Sequence, residues 1–299
     1  LTRKSIMKKI YFILLIICQL YPLKAQEVSL IDHWSWGSGT YKVATELNEL
    51  FYVATNSNQI DIIDPTKVGP ESFIGQINFP SSEYPDIYAL GAFKDKLVVI
   101  TYKNLSIYSV INDTELSIEY SIEINGASQD FRSLLIRDKI YYRNNNHRIF
   151  VLAEANGQFS IEQVLKSPHS SDIYHRNNHL AIENSELLSI TQYYSQESQY
   201  YITSIEKFDL LTNELIDSGT LEATTFYQDV ALVGDGMFAT TQFEQLNIIQ
   251  LTNGNVKTID QYSYEYSYNQ FKLAYKENQL FALSEDWLNK FSISEIGNI

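Results

Sequence analysis

The sequence predicts an all-β chain: a six-bladed β-propeller of four-stranded antiparallel blades, its ring closed by the N-terminal strand. Three observations predict this: a turn-plus-strand unit written six times, a repeat spacing of 40 to 57 residues, and a last unit that stops one strand short. Short strands at such a period are the signature of propeller blades.

The domain begins after residue 25. Residues 7–26, "MKKIYFILLIICQLYPLKAQ", carry the parts of a secretory signal: basic Lys8 and Lys9, an apolar run from Ile10 to Ile17, Pro22, and small Ala25 before a cut at Gln26. The apolar run is too short to span a bilayer, so an integral membrane protein is not expected. Met7 is the more natural start. A lipoprotein signal ending at Cys18 competes with this reading, but Ile17 is a poor fit to the small residue that should precede a lipidated cysteine. Residues 1–25 are therefore read as signal peptide and residues 26–299 as a single propeller domain, exported to the periplasm, cell surface or medium.

Removing the signal takes five bases and no acid, which lowers the basic count from 22 to 17 against 36 acids, a balance of −19. Such a surface repels phosphates and anionic lipid, so nucleic acid is not an expected partner. Cys18 is the sole cysteine, and its loss with the signal excludes disulfides, thiolate metal sites and a cysteine nucleophile.

The six units are "ELNELFYVAT", "FKDKLVVITY", "LIRDKIYYRN", "HRNNHLAIEN", "VGDGMFATTQ" and "YKENQLFALS". In each, Asn or Asp stands two residues before a large apolar residue that opens a strand. The turn residues are Asn48, Asp95, Asp138, Asn178, Asp235 and Asn278; the anchors are Leu50, Leu97, Ile140, Leu180, Met237 and Leu280. Tight hairpins need a residue tolerant of positive φ, which Asn, Asp and Gly are. A second run follows each anchor ("QIDIIDP", "LSIYSV", "RIFVLA", "LLSITQYY", "LNIIQL", "WLNKFSI"), then a third such as "FIGQINF" and "FSIEQVL". All alternate or run apolar over five to eight residues, which is the strand signal. No stretch of the mature chain carries a helical period.

The long fourth unit is read as holding an extended hairpin inserted around Ser195 to Ser198. The sixth unit ends at "FSISEIGNI" after three strands, while an orphan strand, "EVSLIDHWSW", precedes the first unit. Pairing the two would close the ring and remove its open edges. A longer parent protein or a ring of seven or eight blades is the competing arrangement.

The runs "LFYVATNSNQIDIIDPTKVGPESFIGQINF" and "LVVITYKNLSIYSV" resemble the LVIVD-type repeat of secreted bacterial propellers, with Asp64 and Pro65 at the Pro-containing turn. The resemblance runs over residues 41 to 294. It implies a propeller scaffold and, by itself, no chemistry.

Chemistry-bearing motifs are sparse. His169, His175 and His179 fall close together, but His179 occupies the turn position before Leu180 and no spaced Cys or carboxylate set accompanies them, so they read as ordinary turn and loop residues. No metal site or cofactor is implied, and no metalloprotease, nucleophile-elbow, phosphate-loop or calcium-loop motif is present. A pair of facing carboxylates needs no motif, which keeps a hydrolase or lyase acting in the channel mouth as the alternative function.

Aromatic residues are more telling. Nine residues before the anchors stand Tyr41, Tyr88, Phe131 and Phe271, with Ser171 and Gln228 as exceptions and Tyr227 beside the latter. That position opens the innermost strand, so these rings would circle one mouth of the channel, joined by Trp34, Trp36, Tyr84 and Tyr266 from the connecting loops. Inter-blade packing is the plainer role for such rings; a platform for a protein segment or glycan is the functional one. In "QYSYEYSYNQF", Tyr262 and Tyr264 are expected to pack between blades on the outer strand of the fifth unit. Tyr266 and Tyr268 are expected on the loop at the mouth. The function expected is a non-catalytic binding or scaffold module.

Overall fold

A computed structural model of the chain describes residues 41–292 apart from 56–58, 68, 80–85, 113–114, 125–132, 145–147, 169–174, 196, 224–226, 228, 243–244, 264–271, 277–278 and 284–287. Within these residues the chain forms 23 strands in six antiparallel sheets, and strand order in each sheet follows chain order. The first sheet is β1 (Tyr41–Leu47), β2 (Leu50–Thr55), β3 (Gln59–Ile63) and β4 (Phe73–Asn78). The second is β5 (Ile87–Phe93), β6 (Lys96–Thr101), β7 (Asn104–Asn112) and β8 (Glu115–Glu123). The third is β9 (Leu134–Ile136), β10 (Ile140–Arg143), β11 (Arg148–Ala155) and β12 (Gln158–Lys166). The fourth is β13 (His175–Glu183), β14 (Glu186–Tyr194), β15 (Tyr201–Asp209) and β16 (Leu215–Ala223). The fifth is β17 (Asp229–Gly234), β18 (Met237–Gln242), β19 (Gln245–Thr252) and β20 (Asn255–Ser263). The sixth has three described strands, β21 (Lys272–Lys276), β22 (Gln279–Leu283) and β23 (Leu288–Ser292). A 3-10 turn, Gly69–Ser72, is the helical element among the described residues.

The first strands of consecutive sheets lie side by side, from β1 to β5 and onward to β21. Each neighbouring pair of sheets shares its own apolar core. Leu97 and Val99 of β6 pack toward the first sheet, whereas Val98 and Ile100 pack toward the third. A strand buried on both faces reads as a continuous apolar run, which is why "LVVI" shows no alternation. Outer strands behave differently: β8 buries little and β12 buries Phe159 and Leu165 between exposed residues. Five such cores join the six sheets in series. Gly91 is where β5 passes closest to β9, since a Cβ there would collide with the Ile136 side chain.

The fourth unit departs from the sequence reading. Asn178 and His179 do not form a turn; both lie within β13, with His179 paired to Ile190. The true turn is Asn184–Ser185, with Asn184 at φ 55°, so the apolar residue opening the second strand is Leu187 rather than Leu180. Ile140 to Leu187 and Leu187 to Met237 are then 47 and 50 residues, and the irregular spacing disappears. The supposed insertion is the regular second and third strand pair of that sheet, β14 and β15, joined in register from Glu186↔Asp209 to Tyr194↔Tyr201. In the second sheet the left-handed residue is Lys94, at φ 56°, one position before the expected Asp95.

The orphan strand at residues 27–36 and the last residues of the chain lie outside the described residues.

Candidate functional site

Antiparallel order gives every sheet two ends with different chemistry. One end carries the turns from first to second and from third to fourth strand. These are short: Asn48 and Glu49 both take positive φ, as do Asn156–Gly157 and Asn253–Gly254. Polar contacts there tie neighbouring sheets together. The Glu183 carboxylate accepts the Asp235 and Gly236 main-chain N–H groups at 2.6 and 2.7 Å. Asp217 Oδ1 accepts Gly254 N–H at 2.8 Å, and Lys94 pairs with Glu154 of the next sheet. Within single sheets, Lys96 pairs with Glu119 at 2.9 Å and Lys207 with Glu186 at 2.8 Å. Hydrogen bonds from Ser109 and Lys96 hold the Glu119 carboxyl below its ordinary pKa.

The opposite end gathers the sheet-to-sheet connections and the loops from second to third strand, and of the sequence-predicted aromatics Tyr41 and Tyr88 stand there, at or beside the start of a first strand. Tyr88 is half-buried against the core between the second and third sheets. Its ring meets the exposed Tyr102 edge-on, at 6.4 Å between centroids. Tyr227 is a correction: it is 2% exposed, packed in the core between the fourth and fifth sheets, so it is no part of an open rim. Its main-chain N–H donates to Gln192 Oε1 at 2.6 Å, and burial raises the phenol pKa against hydrogen bonds with Thr203 and Thr240. Tyr41 opens β1 opposite Thr55; its side chain lies outside the described residues. Trp34, Trp36, Tyr84, Phe131, Tyr266 and Tyr268 lie outside them as well, as do Tyr264, Phe271 and His169.

Tyr262 is also corrected. It sits on the outer strand β20 as expected, yet it is 53% exposed, its ring meeting Phe291 at 5.2 Å between centroids. An outer strand has a neighbouring sheet over only part of its length, so period two does not guarantee two buried faces.

Two features escaped the sequence reading. The first is a buried ion pair between the third and fourth sheets, where Arg143 Nη1 donates to Glu206 Oε2 at 2.6 Å and to Ser189 Oγ, while Ser167 Oγ donates to Glu206 Oε1. No sequence motif marks it, because the partners stand 63 residues apart on different sheets. The second is the tip of the β14–β15 hairpin, where Tyr194 and Tyr200 are exposed and the Tyr194 and Tyr201 rings meet edge-on at 5.3 Å. The doubled "YY" at each end of "QYYSQESQYY" was the available signal. Among the described residues no three His, Cys, Asp or Glu side chains group as a metal site would require. No described helix is long and apolar enough to cross a membrane.

No protein-family model matches the chain, and no curated protein matches it either. Solved structures do. Sqt1 from Saccharomyces cerevisiae superposes with a TM-score of 0.51 at 9% identity, covering 84% of this chain and 81% of its own. BamB from Moraxella catarrhalis gives 0.48 at 12% identity over 83% of each chain. The Pan2 WD40 domain from Neurospora crassa gives 0.46 at 11% identity over 70% of this chain and 63% of its own. With six serial antiparallel sheets already in view, the likeness to Sqt1 shows the fold: this chain is a β-propeller.

Proposed function

We propose that the chain is an exported, non-catalytic binding or scaffold module, a six-bladed propeller closed by the strand at residues 27–36, which takes a protein segment or glycan on its loop face. The observation that carries the reading is the difference between the two ends of the ring. At the turn end, Glu119, Glu154 and Glu186 are engaged with lysines and Glu183 and Asp217 with main-chain N–H groups. The loop end instead exposes Tyr102, Tyr194 and Tyr200. Exposed aromatic side chains on connecting loops serve recognition, because they contribute large contact areas at low entropic cost. Asp229, at the start of the fifth inner strand, is engaged by Leu273 N–H at 2.7 Å, which suits a structural carboxylate rather than a catalytic one.

Closure into six blades is supported by the outer face of the first sheet. Val53, Thr55 and Asp61 alternate with the residues that pack on the second sheet, and all three are buried. A face buried on the side away from its known neighbour fits a sixth blade lying against it. Export is supported by the signal-like segment and by the absence of cysteine after Cys18. The LVIVD-type repeat resemblance fits the same picture.

The test is a peptide and glycan array probed with the full chain, with Tyr88→Ala/Tyr102→Ala on the loop face and Leu211→Ala on the turn face. Loss of signal in the loop-face variant alone supports the reading. Loss in the turn-face variant alone overturns it. Intact mass of the secreted chain tests processing at Gln26, and a diacylated Cys18 would contradict it.

A further inference from the structure

The outer strands form the rim of the propeller, and each of the five sheets with four described strands carries a bulge there. One extra residue interrupts the ladder to the third strand: Ile74 in β4, Glu119 in β8, Glu162 in β12, Ile216 in β16 and Ile259 in β20. The bulges share one level, beside the first residues of the second strand. In the second, third and fourth sheets that level lies between Leu97 and Val98, Ile140 and Tyr141, and Leu187 and Leu188. In the first and fifth it lies between Phe51 and Tyr52, and between Phe238 and Ala239. A bulge bends and twists an edge, which hinders another strand from pairing with it.

The fourth sheet breaks the pattern in one respect. Beyond the bulge, toward the loop end, regular pairing lasts four residues in four sheets, at 75–78, 120–123, 163–166 and 260–263. In β16 it lasts seven, residues 217–223, because the bulge follows the seventh residue of β15 but the fourth of β3, β7, β11 and β19. That run, "DSGTLEA", holds no Lys, Arg or Pro, residues that blunt an edge against pairing.

We propose that residues 217–223 are the pairing edge for a second copy of this chain, the two outer strands running antiparallel about a two-fold axis at Thr220. This inference goes beyond the loop-face reading and does not depend on it. The two-fold that engages all seven residues sets Thr220 opposite Thr220 of the second copy, Ser218 opposite Glu222, Gly219 opposite Leu221 and Asp217 opposite Ala223. No two acids then face each other, although the chain as a whole is acidic, and opposed threonines are a favourable cross-strand pair. Asp217 already accepts the Gly254 N–H. A two-fold contact uses the same patch on both copies, so association closes at the dimer.

Sedimentation velocity of the exported chain, over rising concentration and at two salt concentrations, is expected to show a monomer–dimer equilibrium. It should shift toward dimer as salt screens the acidic surfaces. Thr220→Lys sets two cations face to face at the axis and should abolish the dimer; Thr220 is exposed, so circular dichroism should show the fold intact. Cys18, the sole cysteine, lies in the signal-like segment, so Thr220→Cys gives one thiol per exported chain. Opposed residues of an antiparallel pair have Cα atoms about 4.5 to 5.5 Å apart, within disulfide reach, so mild oxidation should yield a cross-linked dimer. Gln261→Cys, exposed on the four-residue run of β20, should not cross-link. A chain that stays monomeric, a larger oligomer, a dimer that survives Thr220→Lys, or equal cross-linking by Gln261→Cys would each overturn the proposal. Should Thr220→Lys unfold, the two cysteine variants decide alone.

Discussion

Replacing Glu206 by Gln should destabilise the propeller more than any surface substitution, because it strands a buried cation. Arg143 and Glu206 are each 1% exposed, and they join the third sheet to the fourth beside Leu135, Tyr141, Leu187 and Phe208. Arg143 Nε finds no hydrogen-bond partner among the described residues, so the guanidinium already depends on Glu206 and Ser189. Removing one partner of such a pair typically costs about 3 to 5 kcal/mol, because the remaining charge keeps its desolvation penalty and loses its counter-charge. Domains are stable by about 5 to 15 kcal/mol in total, so the midpoint of urea unfolding should fall markedly. Arg143→Met should cost a similar amount for the converse reason. The double variant Arg143→Met/Glu206→Leu should recover most of the loss, since apolar side chains of similar volume often match or exceed a buried ion pair. Urea melts of the four proteins, followed by tyrosine fluorescence and circular dichroism, close a double-mutant cycle. A cost below about 1 kcal/mol for Glu206→Gln would mean that the pair is hydrated, as exposed pairs are, and the buried-seam argument would fail.

Three further outcomes follow from the packing. Gly219→Ala should cost about 1 to 3 kcal/mol, because its Cβ would stand 2.8 Å from the Gly254 carbonyl oxygen and neither backbone can yield easily; thermal melts check it. Tyr227→Ala should cost about 3 to 5 kcal/mol as a fully buried ring, while Tyr262→Ala, half exposed, should cost about 1 kcal/mol or less, and equal losses would show that their burial is misjudged. Deleting residues 26–36 should unfold the domain rather than trim a tail if that strand completes the ring, and a variant that melts at the parent temperature would show that it does not.

Strand content was legible because a sheet buried on both faces writes apolar runs and an outer strand writes alternation. Leu97–Ile100 and Gln158–Lys166 illustrate the two cases. The error in the fourth unit has the same origin. In β13, Asn178 two residues before Leu180 satisfies the turn-plus-anchor rule, because an inner strand with both faces buried can start an apolar run anywhere along its length. The hairpin signal that would have corrected it lay six residues further on, at Asn184–Ser185. The Asn-Gly pairs at 156–157 and 253–254 mark the third-to-fourth strand turns and would have framed two sheets independently.

The site was less legible, because whether a tyrosine packs or binds depends on facing, and facing turns over with a single residue of register. Tyr227 and Gln228 were one position apart in the reading, and the structure puts Tyr227 inside a core. Tyr262 obeyed the alternation and still is 53% exposed, although its ring meets Phe291 of the next sheet. Conversely, Tyr194 and Tyr200 lay in a stretch read as an insertion, and their exposure follows from their place at the far end of the long β14–β15 hairpin rather than from their residue type. The strands carry the pair Tyr194↔Tyr201 to the very end of the ladder, where Tyr194 is exposed and Tyr201 half-buried. Strand length relative to the adjacent blade thus separates a packing aromatic from a presented one in this fold.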